Sequence, residues 1–134
     1  MPAMDFQPQF AALVEGFVKR QTIRRVRKYP IKVGDNLIFY TRLRKPDCRK
    51  LGEAICTDVI PVKMGIRVDP LMPSEGARYF VELNGMFLGA KGRQELAEAD
   101  GFSGVVEMID WFLKRYIVTH KSRQVFDGAV LLKW

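Results

Sequence analysis

Apolar residues recur along this chain with two different periods, and each period predicts a different kind of element. The three- and four-residue spacing of one helix face is seen near the start, at Phe10, Leu13, Val14 and Phe17. Pro8 suits the first turn of such a helix, because the N–H that proline lacks has no partner there. The pattern therefore predicts a short helix that begins at Pro8.

A second helical pattern lies in the last third of the chain. Ser103 has a side chain suited to an N-cap, and helical spacing continues through Val105, Met108, Ile109, Phe112 and Tyr116. This predicts a helix from Ser103 to about Tyr116. The preceding residues, 91–101, are predicted to be irregular or to form one short helical turn.

Segments rich in β-branched and aromatic residues predict strands over much of the remaining chain. The strongest is 36–41, which follows a turn at Gly34-Asp35. A hairpin turn at Asn84-Gly85 separates the predicted strands 78–83 and 86–88. Further strands are predicted at 22–27, at 51–62 (one long strand or two short ones), at 66–68 and at 125–134, with loops at 42–50 and 70–74.

This order of elements contains five or six strands and two helices without β–α–β alternation. It predicts an α+β fold in which a small curved or barrel-like sheet carries the helices. A length of 134 residues fits one domain, 1–134. The sequence contains no internal repeat, linker or low-complexity segment that would divide it.

Charge is distributed unevenly along the chain. Residues 19–50 contain twelve Lys or Arg against two Asp, a balance of +10, whereas the remainder contains ten against thirteen Asp or Glu, a balance of −3. Such clustering favours a polyanionic partner, nucleic acid above all, over a basic protein with no such partner. Pro30, Gly34 and Pro46 prevent one long basic amphipathic helix, which disfavours a membrane-surface role.

Other features limit the location and the kind of site. No apolar run approaches the ~20 residues of a membrane span, and residues 1–5 do not resemble a secretory signal. Cys48 and Cys56 do not make a disulfide framework, so we expect a cytoplasmic protein with reduced thiols. The single His120 cannot complete a Cys/His zinc set. We expect neither a metal nor a cofactor.

An amine, a hydroxyl and a guanidinium fall within six positions at Lys19, Thr22 and Arg24. Together they could hold an anion or act on a carbonyl. In a partly closed pocket, desolvation and the cations Arg20 and Arg24 would lower the pKa of Lys19 and make it a usable base. The alternatives are a solvated lysine at a helix end and a threonine chosen for its strand propensity.

Asp100 stands directly before Gly101. Its position alone is typical of a turn or cap residue, or of a salt-bridge partner for Arg24.

The other cations of the basic region could follow a phosphate backbone, with a tyrosine stacked on a base. They could equally be solvated charges that protect sheet edges from pairing. The residues predicted to bind are Arg20, Arg24, Arg25, Arg27, Lys28, Tyr40, Arg42, Arg44 and Lys45, and with Tyr29, Arg49 and Lys50 we call them the basic tract.

Several motifs, in this order, make the chain similar to one family. They are Phe-Xaa-Pro-Xaa-Phe at 6–10, Gly16, Lys-Xaa-Xaa-Thr-Ile-Arg at 19–24, Val-Gly-Asp at 33–35, Ala-Asp-Gly-Phe at 99–102 and Phe-Asp-Gly at 126–128. The chain resembles the ASCH (activating signal cointegrator homology) family, in particular its small bacterial and phage members. The resemblance covers almost the whole chain.

The resemblance implies a PUA-like fold, a small mixed β-barrel flanked by two or more helices, and a role with RNA. Some small bacterial members are amidohydrolases that remove the acetyl group from acetylated cytidine, and others are reported as ribonucleases. The working lysine, threonine and acidic residue of the amidohydrolases correspond to Lys19, Thr22 and Asp100. The resemblance thus makes Asp100 the acidic candidate, a carboxylate that faces Lys19 and could pass a proton to a leaving amine. Aspartate stands here where that branch has glutamate, and this chain has extra sequence around Gly65 to Gly92.

Four functions follow as hypotheses. The first is binding of RNA or a nucleotide in a basic cleft, and the second is an amidohydrolase acting on acetylated cytidine. The third is RNA cleavage, which ranks lower because one histidine offers no histidine acid–base pair. The fourth is a small interaction protein whose basic face meets an acidic protein partner.

Overall fold

The computed structural model describes residues 2–68, 77–115, 119–120 and 123–134. Within these ranges the chain forms nine strands and three helices, and the predicted α+β class is confirmed. The strands are β1 (Ala3–Phe6), β2 (Gln21–Arg25), β3 (Asn36–Thr41), β4 (Arg49–Ile55), β5 (Asp58–Val68), β6 (Ala77–Leu83), β7 (Met86–Phe87), β8 (Thr119–His120) and β9 (Arg123–Lys133). The helices are α1 (Pro8–Glu15), α2 (Ala90–Ala99) and α3 (Val105–Arg115).

Three strands form the smaller sheet, in the order β1-β3-β4. β1 runs parallel to β3, with Ala3 opposite Ile38, and β4 pairs antiparallel with the other edge of β3. Leu37, Phe39 and Thr41 of β3 are buried while the residues between them are partly exposed. This period of two directs one face of β3 into the core.

The larger sheet has the order β2-β9-β5-β6-β7, with β8 also paired to β9. Its two longest strands, β5 and β9, have eleven residues each and pair antiparallel over most of their length. The segment predicted at 51–62 therefore divides into β4 and β5. β5 continues past Pro61 and includes residues 66–68, which were predicted as a separate strand.

Aromatic contacts join the two sheets. The ring of Trp134, just after β9, lies 4.5 Å from that of Phe39 in β3 and 6.1 Å from that of Phe6 in β1, between centroids. Among the described residues the strands pair as two sheets and do not close into a barrel. The finer prediction of a PUA-like barrel is therefore unconfirmed.

The prediction for residues 91–101 was wrong, because Ala90–Ala99 is a regular ten-residue helix. Its signal was weak: Gly89 at the N-cap position offers no side-chain hydrogen bond, Gly92 lowers helix propensity, and Leu96 and Ala97 are its buried residues. Tertiary packing of this short apolar stripe stabilises α2 where propensity alone would not.

The ends of the other helices also differ from prediction. α1 ends at Glu15, and Phe17 has a φ of 58° and is 53% exposed instead of joining the apolar face. α3 begins at Val105, and the Ser103 hydroxyl donates a hydrogen bond to the Glu107 carboxylate in place of an N-cap acceptor role. The predicted loop at 70–74 and the predicted helix end at Tyr116 lie outside the described residues.

The longest of the described helices, α3, has eleven residues, and its buried face packs on the larger sheet. The ring of Phe112 stacks on that of Phe126 in β9 at 5.2 Å between centroids. No helix in the described ranges is long and apolar enough to cross a membrane. The same ranges contain no group of three or more His, Cys, Asp or Glu arranged to hold a metal ion.

Candidate active site

A tight chain reversal after α1 places Lys19 two residues before β2. The main-chain N–H groups of Val18 and Lys19 both donate to the carbonyl of Leu13, at 2.9 and 3.0 Å. This turn folds the chain back under α1, and the Lys19 side chain enters the interior, where the residue is only 3% exposed.

The end of α2 brings Asp100 to the same place. Its main-chain N–H donates to the carbonyl of Leu96 at 3.0 Å, so that Asp100 caps the helix. Gly101 then adopts a φ of +93°, which costs a glycine little and lets the chain turn towards Phe102. An added Cβ at Gly101 would lie 3.1 Å from the ring of Phe10, so α1 and this turn approach each other closely.

Lys19 and Asp100 form a buried ion pair, as the functional interpretation of the two residues requires. Lys19 Nζ lies 3.0 Å from Asp100 Oδ1, and both side chains are 3% exposed. Nζ also donates a hydrogen bond to the main-chain carbonyl of Asp100 at 2.5 Å. The ring centroid of Phe10 lies 5.0 Å from Nζ, within the range of a cation–π contact.

Burial displaces the pKa of each partner towards the other. Desolvation lowers the pKa of Lys19 from 10.5, against the opposing attraction of Asp100. Desolvation raises the pKa of Asp100 from 3.8 to about 6, although the charges of Lys19 and Arg24 and a hydrogen bond from Gln21 act in the other direction. Transfer of a proton from the ammonium to the carboxylate is therefore less unfavourable than between the same groups in water.

Thr22 and Arg24 project from β2 beside this pair. Thr22 is 4% exposed, and its Oγ1 accepts a hydrogen bond from Arg24 Nε at 3.1 Å. The Arg24 guanidinium also donates to the main-chain carbonyl of Asp5 and lies over the ring of Phe6, 4.7 Å from its centroid. A guanidinium that donates to a hydroxyl oxygen favours loss of the hydroxyl proton.

These four side chains line one cleft with a volume of about 120 Å³. Its other walls are largely aromatic, and the Phe10 and Phe102 rings meet edge to face at 5.4 Å between centroids. The other lining residues are Asp5, Phe6, Gln7, Ile23, Trp111, Phe112 and Arg115. The cleft therefore combines a nonpolar, ring-sized space with a charged pair and a hydroxyl.

Sequence reasoning gave no site role to Trp111 and Arg115, which line the cleft, or to Gln21, which hydrogen-bonds to Asp100. Gln21 is buried and its Nε2 lies 3.4 Å from the carbonyl of Leu96. The only sequence signal for Arg115 was its place in the last turn of the predicted helix. Basic residues are common there because they interact favourably with the helix dipole, so this position did not indicate a binding role.

Most of the basic tract lies outside the cleft. Arg24 lines it, whereas Arg20, Arg25, Arg27, Lys28, Tyr40, Arg42, Arg44 and Lys45 do not. Apart from the partly exposed Tyr40, these eight residues are exposed. Arg27 donates to the carbonyl of Ala3 at 2.7 Å, and Arg42 pairs with Asp47 at 2.6 Å. The predicted basic cleft is thus an aromatic cleft with a few cations, beside a separate basic surface.

No family model, curated protein or solved structure matches this chain. The resemblance to the ASCH family stays a prediction from the sequence motifs. A function must therefore be argued from the chemistry of the cleft.

Proposed function

We propose that this protein is an amidohydrolase that removes the acyl group from the exocyclic amine of an acylated cytosine base, as in acetylated cytidine. The observation that carries the proposal is the buried Lys19–Asp100 ion pair, which lines the aromatic cleft together with the Thr22 hydroxyl. The motif that resembles the ASCH amidohydrolases supplies the substrate class.

The energetic cost of burying both Lys19 and Asp100 favours a functional role for the pair over a purely structural one. Removing two charges from water costs several kcal/mol per ion, and the attraction between them often fails to offset this. A nonpolar pair of similar volume would give the core equal or greater stability. Strongly displaced pKa values in a cleft are typical of acid–base residues. A purely structural role for Lys19 and Asp100 would not need the cleft beside them.

One proton shared by the pair gives both a base and an acid. Transfer of a proton from Nζ to Oδ1 converts the ion pair into a neutral amine and a neutral carboxylic acid. The two atoms are 3.0 Å apart but do not have hydrogen-bond geometry, so the transfer requires a small rotation of one side chain. The lowered pKa of Lys19 and the raised pKa of Asp100 make the neutral form less unfavourable than in water. Lys19 can then accept a proton while Asp100 can donate one.

Thr22 is the nucleophile in this scheme. Oγ1 forms a bond to the acyl carbon, its proton passes to Lys19 Nζ, and the carbonyl electron pair moves onto oxygen. Collapse of this intermediate breaks the carbon–nitrogen bond, and the proton of Asp100 goes to the departing nitrogen. Water then attacks the threonine ester and gives a proton to the Asp100 carboxylate. Lys19 donates a proton to Thr22 Oγ1 as the ester bond breaks and the carboxylic acid leaves, and return of the proton from Asp100 to Lys19 restores the ion pair.

Arg24 and the aromatic walls support these steps. The Arg24 guanidinium, bonded to Oγ1, stabilises negative charge that develops on the hydroxyl and on the neighbouring carbonyl oxygen. The rings of Phe10, Phe102 and Trp111 offer faces and edges against which a planar base can pack. They also exclude water, which strengthens each charge interaction in the cleft.

The test is mass-spectrometric detection of cytidine released from acetylcytidine. We expect release by the wild-type protein and at least about a hundredfold loss in Lys19→Ala and in Thr22→Ala, because each removes a group that moves a proton or forms a bond. Arg20→Ala is the matched control, since Arg20 is a neighbouring exposed cation outside the cleft. A folded Lys19→Ala protein with full turnover would falsify the role of the lysine.

A second candidate function is RNA binding by the basic tract. The observation that favours it is the arrangement of the tract around β1: Arg27 donates to the carbonyl of Ala3, and Asp5 accepts from the main-chain N–H of Leu43 in the basic loop. Residues 25–28 and 42–45 thereby lie beside one strand, next to the cleft.

Binding of a fluorescent single-stranded RNA at increasing salt tests this second function. Affinity should fall steeply between ~50 and ~200 mM salt, because bound phosphates release counterions. Arg44→Ala with Lys45→Ala should reduce the salt slope, whereas Lys91→Ala, on α2 and outside the tract, should leave it unchanged. Affinity that does not respond to salt would rule out a phosphate-tracking surface.

A further inference from the structure

Arg115 lies at the end of α3 and lines the same cleft as the Lys19–Asp100 pair. It is exposed, in contrast to the buried Lys19. The buried end of the cleft therefore carries the acid–base pair, while an exposed guanidinium lies where the cleft meets solvent. This places a positive charge on the side from which a ligand would enter.

Two neighbours hold this guanidinium in place. Its central carbon lies 4.8 Å from the centroid of the Trp111 ring, one turn earlier on α3, in a cation–π contact. The Gln7 amide accepts a hydrogen bond from the same guanidinium once its oxygen and nitrogen are exchanged, the assignment that satisfies both groups. Gln7 and Trp111 both line the cleft, so Arg115 is fixed with respect to any ring bound there.

The charge of Arg115 is not neutralised by a carboxylate within the part of the chain that the structure describes. The ion pairs found there involve other cations, such as Lys19 with Asp100 and Arg42 with Asp47. Its partners among the described residues, a neutral amide and an indole ring, leave the positive charge in place. Guanidinium groups stacked on an aromatic face and with N–H groups available suit planar, bidentate binding of phosphate.

We propose that Arg115 binds a phosphate of the nucleotide whose base occupies the cleft, so that a nucleotide, free or within RNA, is bound more tightly than the corresponding nucleoside. The inference rests on the proposed function for the identity of the base. The phosphate contact itself depends only on the position and charge of Arg115. It makes Arg115 a specificity-determining residue, distant from the bond that is cleaved.

The competing explanation is structural. A cation in the last turn of a helix interacts favourably with the helix dipole, and Lys114 shares that position. Lys114 does not line the cleft, however. Lys114→Ala is therefore a matched control, because it removes an equal charge from the same turn without touching the ligand site.

Calorimetric titration with cytidine and with cytidine 5′-monophosphate tests the proposal on the intact protein without requiring turnover. We expect the wild type to bind the monophosphate about tenfold more tightly, as for one exposed charge-assisted hydrogen bond. Arg115→Ala should bind the two ligands equally, Arg115→Lys should restore part of the preference, and Lys114→Ala should keep all of it. Equal binding of both ligands by the wild type, or an unchanged preference in Arg115→Ala, overturns the proposal.

The source of the phosphate is distinguished by two more ligands, cytidine 3′-monophosphate and a cytidine-containing trinucleotide. Tighter binding of the trinucleotide than of either monophosphate, again lost in Arg115→Ala, assigns the site to RNA. Tightest binding of one monophosphate, lost in the same variant, assigns it to a free nucleotide. If acetylcytidine is not hydrolysed but the Arg115-dependent preference is found, the proposed reaction fails and the phosphate site stands.

Discussion

At the scale of single residues, Asp100 has an effect on stability that can be measured without knowing the function. Its pKa is about 6 in the folded protein and 3.8 as the ordinary value, because burial disfavours the charged form. Between these values the folded state binds more protons than the unfolded state. The contribution of Asp100 is therefore fully present below pH ~4 and is lost as pH rises through about 6.

We expect the free energy of unfolding to fall by about 2 kcal/mol from pH 4 to pH 7 through this one group. Urea unfolding of the wild type should be compared at each pH with the double variant Lys19→Met/Asp100→Asn, in which neither partner titrates. The difference between the two proteins gives the effect of the pair, since other carboxylates titrate in both. A difference that is constant with pH would mean that the pKa of Asp100 is ordinary.

At the scale of elements, the turn at Gly101 determines how closely the chain that follows α2 approaches α1. Gly101 has a φ of +93°, and a Cβ there would meet the Phe10 ring at 3.1 Å and Leu13 at 3.4 Å. Gly34 has nearly the same φ, +94°, with nothing within 4 Å of an added Cβ. The two glycines therefore separate the cost of the backbone conformation from the cost of the contact.

We expect Gly34→Ala to lower the free energy of unfolding by about 1–2 kcal/mol, the cost of a left-handed conformation for a residue with a side chain. Gly101→Ala should cost about 1–3 kcal/mol more, because the methyl group also overpacks the contact with Phe10. Chemical denaturation of both variants measures this difference. Equal losses would show that the Phe10 ring moves aside at little cost.

At the scale of the whole molecule, the sequence predicted the elements with strong local signals. The strand at Asn36–Thr41 and the Asn84-Gly85 hairpin follow from β-branched, aromatic and turn residues. It also predicted that Lys19 and Asp100 belong together, although this came from the family resemblance. The two residues are 81 positions apart in the sequence, so no local sequence pattern could indicate that they are in contact.

What the sequence could not predict depends on tertiary packing. α2 has two buried residues, Leu96 and Ala97, and a weak helical signal. Arg115 resembles any basic residue at a helix end until Trp111 and Gln7 are seen beside it. The division of the strands into two sheets likewise depends on contacts such as that of Trp134 with Phe39. Neither the amino-acid composition nor the hydrophobic periodicity indicates which residues make such contacts.

The buried Lys19–Asp100 pair also constrains the order in which this chain can fold. If α1 packed before α2 arrived, Lys19 would lose its hydration with no carboxylate to compensate, and an uncompensated buried charge costs about 3–5 kcal/mol. An intermediate in which α1 is docked without the Asp100 turn is therefore disfavoured. We expect docking of α1 and of the turn after α2 to be energetically coupled through this pair.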